Sequence, residues 1–268
     1  KKSLLETLGF KAFSHCIGRS PGSPAFMIWN DLNRTGHTGV MTFGLAGDIT
    51  WSVRVTRASL KPQGADQLRV GCEQGCGAIF DTGTSLFAVP TPMYRKIMDS
   101  LVSNHLTDCH QLERFPSLVI TIDGQDLHFP PSSYVGIVQG VVQPKMMRYF
   151  SGKALGGPNG PPMPGQTVPV CSLLLMEMGE EHTEFGPLFI MGMPLFRQYY
   201  TTFHISRNKY ERAISVMQAD EACRPDLRPL VQNTRLRNQA DITPRVIDAS
   251  QLRIPRWLEE RDEVGIIL

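Results

Sequence analysis

From Phe10 to about Met217 the chain is built of short apolar or alternating runs cut by Gly, Pro, Asn and Asp, with few stretches of helical repeat. Runs of that length cannot hold a stable helix but suit strands, whose side chains point alternately to the two faces of a sheet. The pattern predicts an all-β domain. Candidate strands are Phe13–Ile17, Ala25–Asn30, Val40–Phe43, Ile49–Val55, Ala78–Phe80, Ser117–Ile122, Asp126–Phe129, Leu188–Met191 and Thr201–Ile205. Asp123-Gly124 joins two of them, and both residues tolerate the positive φ of a two-residue hairpin turn. The one clear helix is Pro92–Val102, where Met93, Ile97 and Leu101 share a face and Thr91 is placed to cap the start.

Two segments break this pattern. Residues 152–169 concentrate Gly and Pro, which removes backbone donors and adds chain entropy, so a surface insertion loop is predicted there. From Glu221 the chain turns to Arg, Pro, Asn and Asp with isolated Leu and Ile, which reads as an extended tail over 221–268. A short helix over Pro255–Glu263 and a pocket anchor at Trp257 are expected within it. The domain reading is therefore 1–220 as one lobe and 221–268 as a tail for docking on a partner.

Composition narrows the function. With 27 Lys plus Arg against 25 Asp plus Glu the net charge is +2, short of the excess that binding a phosphate backbone needs. No apolar run reaches the roughly 18–20 residues of a membrane-spanning helix. His105 and His110 flank Cys109, but no paired cysteine and histidine set at zinc spacing accompanies them, so no metal or other cofactor is expected. The chain opens on Lys1 without the apolar core of a secretory signal, which suggests a piece of a longer product.

The chemistry concentrates in Val70–Pro90, VGCEQGCGAIFDTGTSLFAVP. An apolar strand delivers Asp81 into the turn Thr82-Gly83-Thr84-Ser85, and a second apolar run follows. Glycine after the acid lets backbone amides reach the carboxylate, and the hydroxyls of Thr84 and Ser85 can donate to it. Alone, such a triplet could equally be an ordinary Asx or Ser/Thr turn.

The flanking residues give it context. Ile79-Phe80-Asp81-Thr82-Gly83-Thr84-Ser85 resembles the second active-site loop of the pepsin-like aspartic proteases, and Cys72-Glu73-Gln74-Gly75-Cys76 resembles the small disulfide loop before it. Phe115–Ile120, Pro130–Tyr134, Leu188–Tyr200 and Ile49–Val53 are similar to further family stretches, in order, from about Leu4 to Met217. The resemblance is to the C-terminal lobe, a β-sandwich or barrel-like lobe with a few short helices. It implies disulfides Cys72–Cys76 and Cys109–Cys171 and leaves the pairing of Cys16 and Cys223 open. Disulfides and the sequon Asn33-Arg34-Thr35 would suit the secretory pathway, a vacuole or lysosome, or the extracellular space.

Aspartic-protease chemistry needs two carboxylates sharing a proton, one acting as base on water and the other polarising the scissile carbonyl. A second Asp-Thr/Ser-Gly triplet does not occur in the sequence. The resemblance therefore implies half an endopeptidase that is inactive alone: Asp81 as one catalytic aspartate, Thr82 gripping its counterpart, Gly83, Thr84 and Ser85 completing the loop. Its partners would be an N-terminal lobe, in the same precursor or a separate chain, and an extended peptide or protein substrate. The competing expectation is a non-catalytic assembly subunit held in a complex by the tail. Three departures from the family pattern motivate it: Met193 after Gly192, His204 after Phe203, and Ile214 where a small glycine is usual. A β-branched residue in a glycine position of positive φ or close approach would be strained.

Overall fold

The computed structural model describes residues 4–20, 22–32, 39–150, 152–155, 169–220, 223 and 243–259. The sequon at 33–35, residues 156–168 of the insertion, and 221–222, 224–242 and 260–268 of the tail lie outside them. In chain order the first strands are β1 (Ala12–Ile17), β2 (Ala25–Trp29), β3 (Met41–Gly44), β4 (Ser52–Lys61), β5 (Leu68–Gly71), β6 (Cys76–Phe80), β7 (Phe87–Val89), β8 (Ser117–Ile122) and β9 (Gln125–Phe129). They continue as β10 (Val135–Gln139), β11 (Val170–Leu173), β12 (Leu175–Glu177), β13 (His182–Thr183), β14 (Gly186–Met191), β15 (Tyr199–His204), β16 (Ala213–Gln218) and β17 (Arg245–Asp248). The helices are α1 (Leu4–Thr7), α2 (Thr91–Ser103), α3 (Met193–Gln198) and α4 (Arg256–Glu259). Among the described residues no helix is long and apolar enough to cross a membrane.

The chain divides into two compact units, each assembled from two separate segments: 1–53 with 195–236, and 54–194 with 237–268. The division follows strand pairing, which brings distant segments together, and so does not follow the 220/221 boundary expected from composition.

The first unit is a five-stranded antiparallel sheet in the order β2-β1-β15-β16-β3. β1 alternates as its sequence requires: Ala12, Ser14 and Cys16 are buried, Phe13, His15 and Ile17 half-buried. The buried Ser14 hydroxyl is satisfied at 2.8 Å by Thr202 on β15. Phe13 stacks on Phe203 at 4.7 Å between ring centres, and Trp51 meets Phe203 edge-on at 5.0 Å. Cys16 is bonded to Cys223, a pairing the sequence left open, beside the buried Tyr200 and Ala219. Ile214 lies mid-strand in β16, fully buried between Phe203 and Phe43 on the neighbouring strands, and is absent from the positive-φ positions. The expected strain at Ile214 is thus corrected: the position is ordinary extended backbone in a core, where a β-branched side chain packs well.

His15 and His204 in this unit both have their pKa lowered from 6.5, because burial disfavours the imidazolium. The unfolded chain then binds more protons, so this contribution to stability is intact above about pH 6.5 and is lost as pH falls toward the depressed folded-state values. The denaturant midpoint should fall between pH 7 and pH 5, and the double variant His15→Gln/His204→Gln should flatten that slope.

The second unit holds a nine-stranded sheet with the central order β12-β7-β14-β6-β4-β8-β9, β13 pairing with β14 and β5 with β4. A three-stranded sheet, β11-β10-β17, accompanies it. The β8–β9 hairpin turns at Asp123 and Gly124 with φ of 47° and 75°, as the pair predicts. α2 buries Met93, Tyr94, Ile97 and Leu101, but begins at Thr91, so Thr91 is its first residue and Pro90 occupies the cap without a side-chain hydrogen bond. Tyr134 is wholly buried, its hydroxyl donating to the Pro116 carbonyl at 2.7 Å, and desolvation pushes the phenol far up. Cys72–Cys76 and Cys109–Cys171 are both formed. The second closes a separation of 62 residues, worth about 4 kcal/mol as lost unfolded-state entropy.

Residues 243–259, expected to be extended tail, pack against this unit. β17 runs parallel to β10 with Gly136 opposite Arg245 and Gln139 opposite Asp248. Leu252, Ile254 and Leu258 enter a core cluster with Ile79, Leu86 and Ile190, and Trp257 packs on its edge. Each of the three buried side chains contributes roughly 1.5–3 kcal/mol.

Candidate active site

β6 is buried at all five positions, which its apolar run Gly77-Ala78-Ile79-Phe80 makes possible for a strand paired on both sides. Its neighbour β14 runs parallel, with Met191 opposite Phe80. The strand ends by presenting Asp81, whose N–H donates to the Met191 carbonyl at 3.1 Å. The turn then folds back on the carboxylate. Gly83 N–H donates to Asp81 Oδ1 at 3.0 Å, and the Thr84 hydroxyl donates to Oδ2 at 2.5 Å. Both oxygens are held, so the plane of the carboxyl group is fixed. A Cβ at Gly83 would stand 3.2 Å from Oδ1, a tight contact that would press on the carboxylate. Asp81 is half-buried, Thr82 and Gly83 are exposed, Thr84 is fully buried and Ser85 half-buried.

Thr84 is held from behind. Its carbonyl accepts the Met193 N–H at 2.8 Å, and Gly192 packs so closely that a Cβ there would lie 2.5 Å from the Thr84 oxygen and 2.1 Å from that of Leu86. The Gly192-Met193 pair therefore braces Thr84, and this brace uses only the backbone of Met193. His204, the second departure, ends β15 in the first unit and bonds to Ser215 at 2.8 Å.

Ser85 carries contacts the sequence did not foretell. Its N–H donates to the Arg253 carbonyl at 3.1 Å, and its Oγ accepts the Arg253 N–H at 2.9 Å. The alternation of Leu252 and Ile254 about Arg253 was the available signal, obscured by the Arg and Pro around it. All five predicted site residues thus lie in one turn, with one carboxylate aligned by two donors. Among the described residues no cluster of three or more His, Cys, Asp or Glu is placed to hold a metal.

The arrangement can orient one carboxylate toward solvent and a reacting group. By itself it offers no second, proton-sharing acid in the loop. Comparison with known proteins gives the same context. Residues 7–146, just over half of the chain, match the family described as eukaryotic aspartyl protease. Human gastricsin is 24% identical over 209 residues, covering 70% of this chain and 45% of gastricsin. Pepsin B of Canis lupus familiaris is 28% identical over 193 residues, 66% of this chain and 41% of pepsin B. Pepsin A of Bos taurus is 23% identical over 204 residues, 74% of this chain and 45% of pepsin A. The chain thus spans less than half the length of the relatives it matches. With the family match over residues 7–146 and the Asp81 turn in place, the chain belongs to the eukaryotic aspartyl protease family.

Proposed function

We propose that the chain supplies one half of an aspartic endopeptidase, as the C-terminal lobe of a pepsin-like enzyme, with Asp81 as one of two catalytic carboxylates. The observation that carries this reading is the paired grip on Asp81 by Gly83 N–H and the Thr84 hydroxyl, buttressed by Gly192. In the assembled site an N-terminal lobe brings the second aspartate. One carboxylate takes a proton from the attacking water while the other, protonated, polarises the scissile carbonyl, and the pair titrates as a unit. In this reading Thr82, exposed beside Asp81, grips the opposing loop, and Thr84 keeps the outer carboxylate oxygen fixed. Substrates are extended peptides with apolar side chains beside the cut, and activity favours acid because one aspartate must hold a proton. Three disulfides fit an oxidising compartment along the secretory route.

The rival reading, a non-catalytic subunit tethered by its tail, is less well supported: residues 243–259 are engaged with their own chain, and each Asp81 carboxylate oxygen accepts a hydrogen bond within the turn. Native mass spectrometry of the purified protein, with sequencing of what travels with it, tests the choice. A companion polypeptide or covalent extension carrying an Asp-Thr/Ser-Gly loop, together with acid proteolysis, is expected. Company of unrelated proteins alone, without proteolysis, would overturn the peptidase reading.

A further inference from the structure

Ser85 stands four residues after Asp81 and directly after Thr84, the residue that holds the Asp81 carboxylate. Both hydrogen bonds from Ser85 go to the main chain of one residue, Arg253: one from the Ser85 N–H to its carbonyl at 3.1 Å, one to Ser85 Oγ from its N–H at 2.9 Å. Both bonds use only the main chain of Arg253, as a bound extended peptide offers its own main chain, and so are indifferent to the side chain of the bonded residue. The Arg253 side chain is accordingly exposed. The side chains on either side do the opposite: Leu252 and Ile254 are 2% and 7% exposed, in the cluster that contains Ile79 and Leu86, the residues bracketing the Asp81 turn. Main-chain bonds at one residue with alternate side chains buried is also the pattern that an extended bound peptide makes.

The segment is also held at both ends. Upstream, β17 pairs with β10. Downstream, Leu258 is buried and Glu259 meets Lys145 at 2.7 Å. Between them, the Gln143 side chain donates to the Ser250 carbonyl.

We propose that Leu252-Arg253-Ile254 is an internal ligand of the Asp81 loop, so that the chain fills with its own tail the extended-peptide position beside its catalytic carboxylate. The proposal rests on reading that loop as one wall of a peptide groove. It makes the tail an autoinhibitory strap: any peptide that needs the Ser85 N–H and Oγ must first displace Arg253. Because the strap is tethered, it competes at an effective concentration on the order of millimolar, so weak peptides are excluded and tightly held ones are admitted. The strap also states what the position accepts, a branched apolar residue, any residue, and a second branched apolar residue.

The test reads binding and not hydrolysis, so that its failure is separate from failure of the peptidase reading. The probe is a fluorescein-labelled decapeptide with the chain's own Ser250–Glu259 sequence, followed by anisotropy on the full chain. Arg253→Pro deletes the N–H that Ser85 Oγ accepts, and Leu252, at φ −62° and ψ 142°, already has the backbone that a following proline requires. The wild-type chain should bind the probe at least about tenfold more weakly than Arg253→Pro, and adding Ser85→Ala should remove the gain. As a second route, a protease site placed within 224–242 and cut after folding should let the probe exchange with the severed tail. Equal binding by wild-type, Arg253→Pro and cut chains would overturn the proposal. So would unfolding on removal of the cut tail, since the segment would then be a fixed part of the wall. If competition is seen but Asp81→Asn leaves proteolysis unchanged, the strap stands and the peptidase reading falls.

Discussion

In the two-lobed peptidase proposed above, Asp81→Asn should lower kcat/KM for an acid-cleaved peptide by at least about a thousandfold while leaving the fold unchanged. The size follows from the chemistry. A positioned acid or base is worth about 10²–10⁴ in rate, and on the proposed function the lost group belongs to a pair whose members act as one, so removing either removes the step. The amide keeps the shape of the carboxyl group, so Asn Oδ1 can still accept the Gly83 N–H, and the Thr84 hydroxyl can rotate to accept from Nδ2 where it formerly donated. The thermal midpoint should therefore move little, which separates loss of chemistry from loss of structure. The measurement is initial rate against substrate concentration at acid pH, on wild type and variant carried through the same purification. Because contaminating peptidases also cleave peptides, the informative quantity is the difference between the two preparations. Undiminished turnover in the variant would remove Asp81 from the reaction.

That experiment addresses residues the sequence made plain, and the reason they were plain is physical. A fully buried strand reads as an unbroken apolar run, and the turn after it needs glycine and hydroxyls at fixed offsets to meet a carboxylate, so β6 and the Asp81 turn are written in consecutive residues. Asp123-Gly124 is legible for the same reason: the requirement for positive φ falls on two adjacent positions. The strand expected from Ile49 begins only at Ser52, because Gly47, at φ 85°, and the Ala46 N–H bond to the Ser52 carbonyl at 2.8 Å hold Ile49–Trp51 in a bend. Apolar content alone could not reveal that bend. β2 shows the same limit from another side, since Phe26, Met27, Ile28 and Trp29 are apolar yet 37–46% exposed on an edge strand. What stayed hidden depends on partners far along the chain. Cys16 and Cys223 are 207 residues apart, and β17 becomes a strand only because β10 offers it a parallel edge. Arg, Pro and Asn dominate the tail's composition, while Leu252, Ile254 and Leu258 carry its packing. Tertiary context overrides the local pattern there.

Gly192→Ala should cost roughly 3 kcal/mol or more, lowering the thermal midpoint by about 6–12 °C, and should cut turnover along with stability. The added methyl would stand 2.1 Å from the Leu86 carbonyl oxygen and 2.5 Å from that of Thr84. Neither is the free end of a side chain that can swing aside. Leu86 leads into β7 and is 2% exposed, and the Thr84 carbonyl is already bound to Met193 N–H at 2.8 Å. Relief must therefore come from moving the backbone of residues 84–86, and that backbone carries the Thr84 hydroxyl that fixes Asp81 Oδ2 and the Ser85 groups that bond Arg253. Gly44→Ala is the control, at the end of β3 with nothing within 4 Å of the new Cβ, and should change stability by no more than about 0.5 kcal/mol. Chemical denaturation of both variants, with turnover measured in parallel, separates two cases. If Gly192→Ala loses stability and turnover together, the brace behind the loop and the alignment of the acid are one device. If stability falls while kcat/KM holds, Thr84 keeps its grip on Asp81 without help from Gly192, and the alignment is set within the Asp81–Ser85 turn itself.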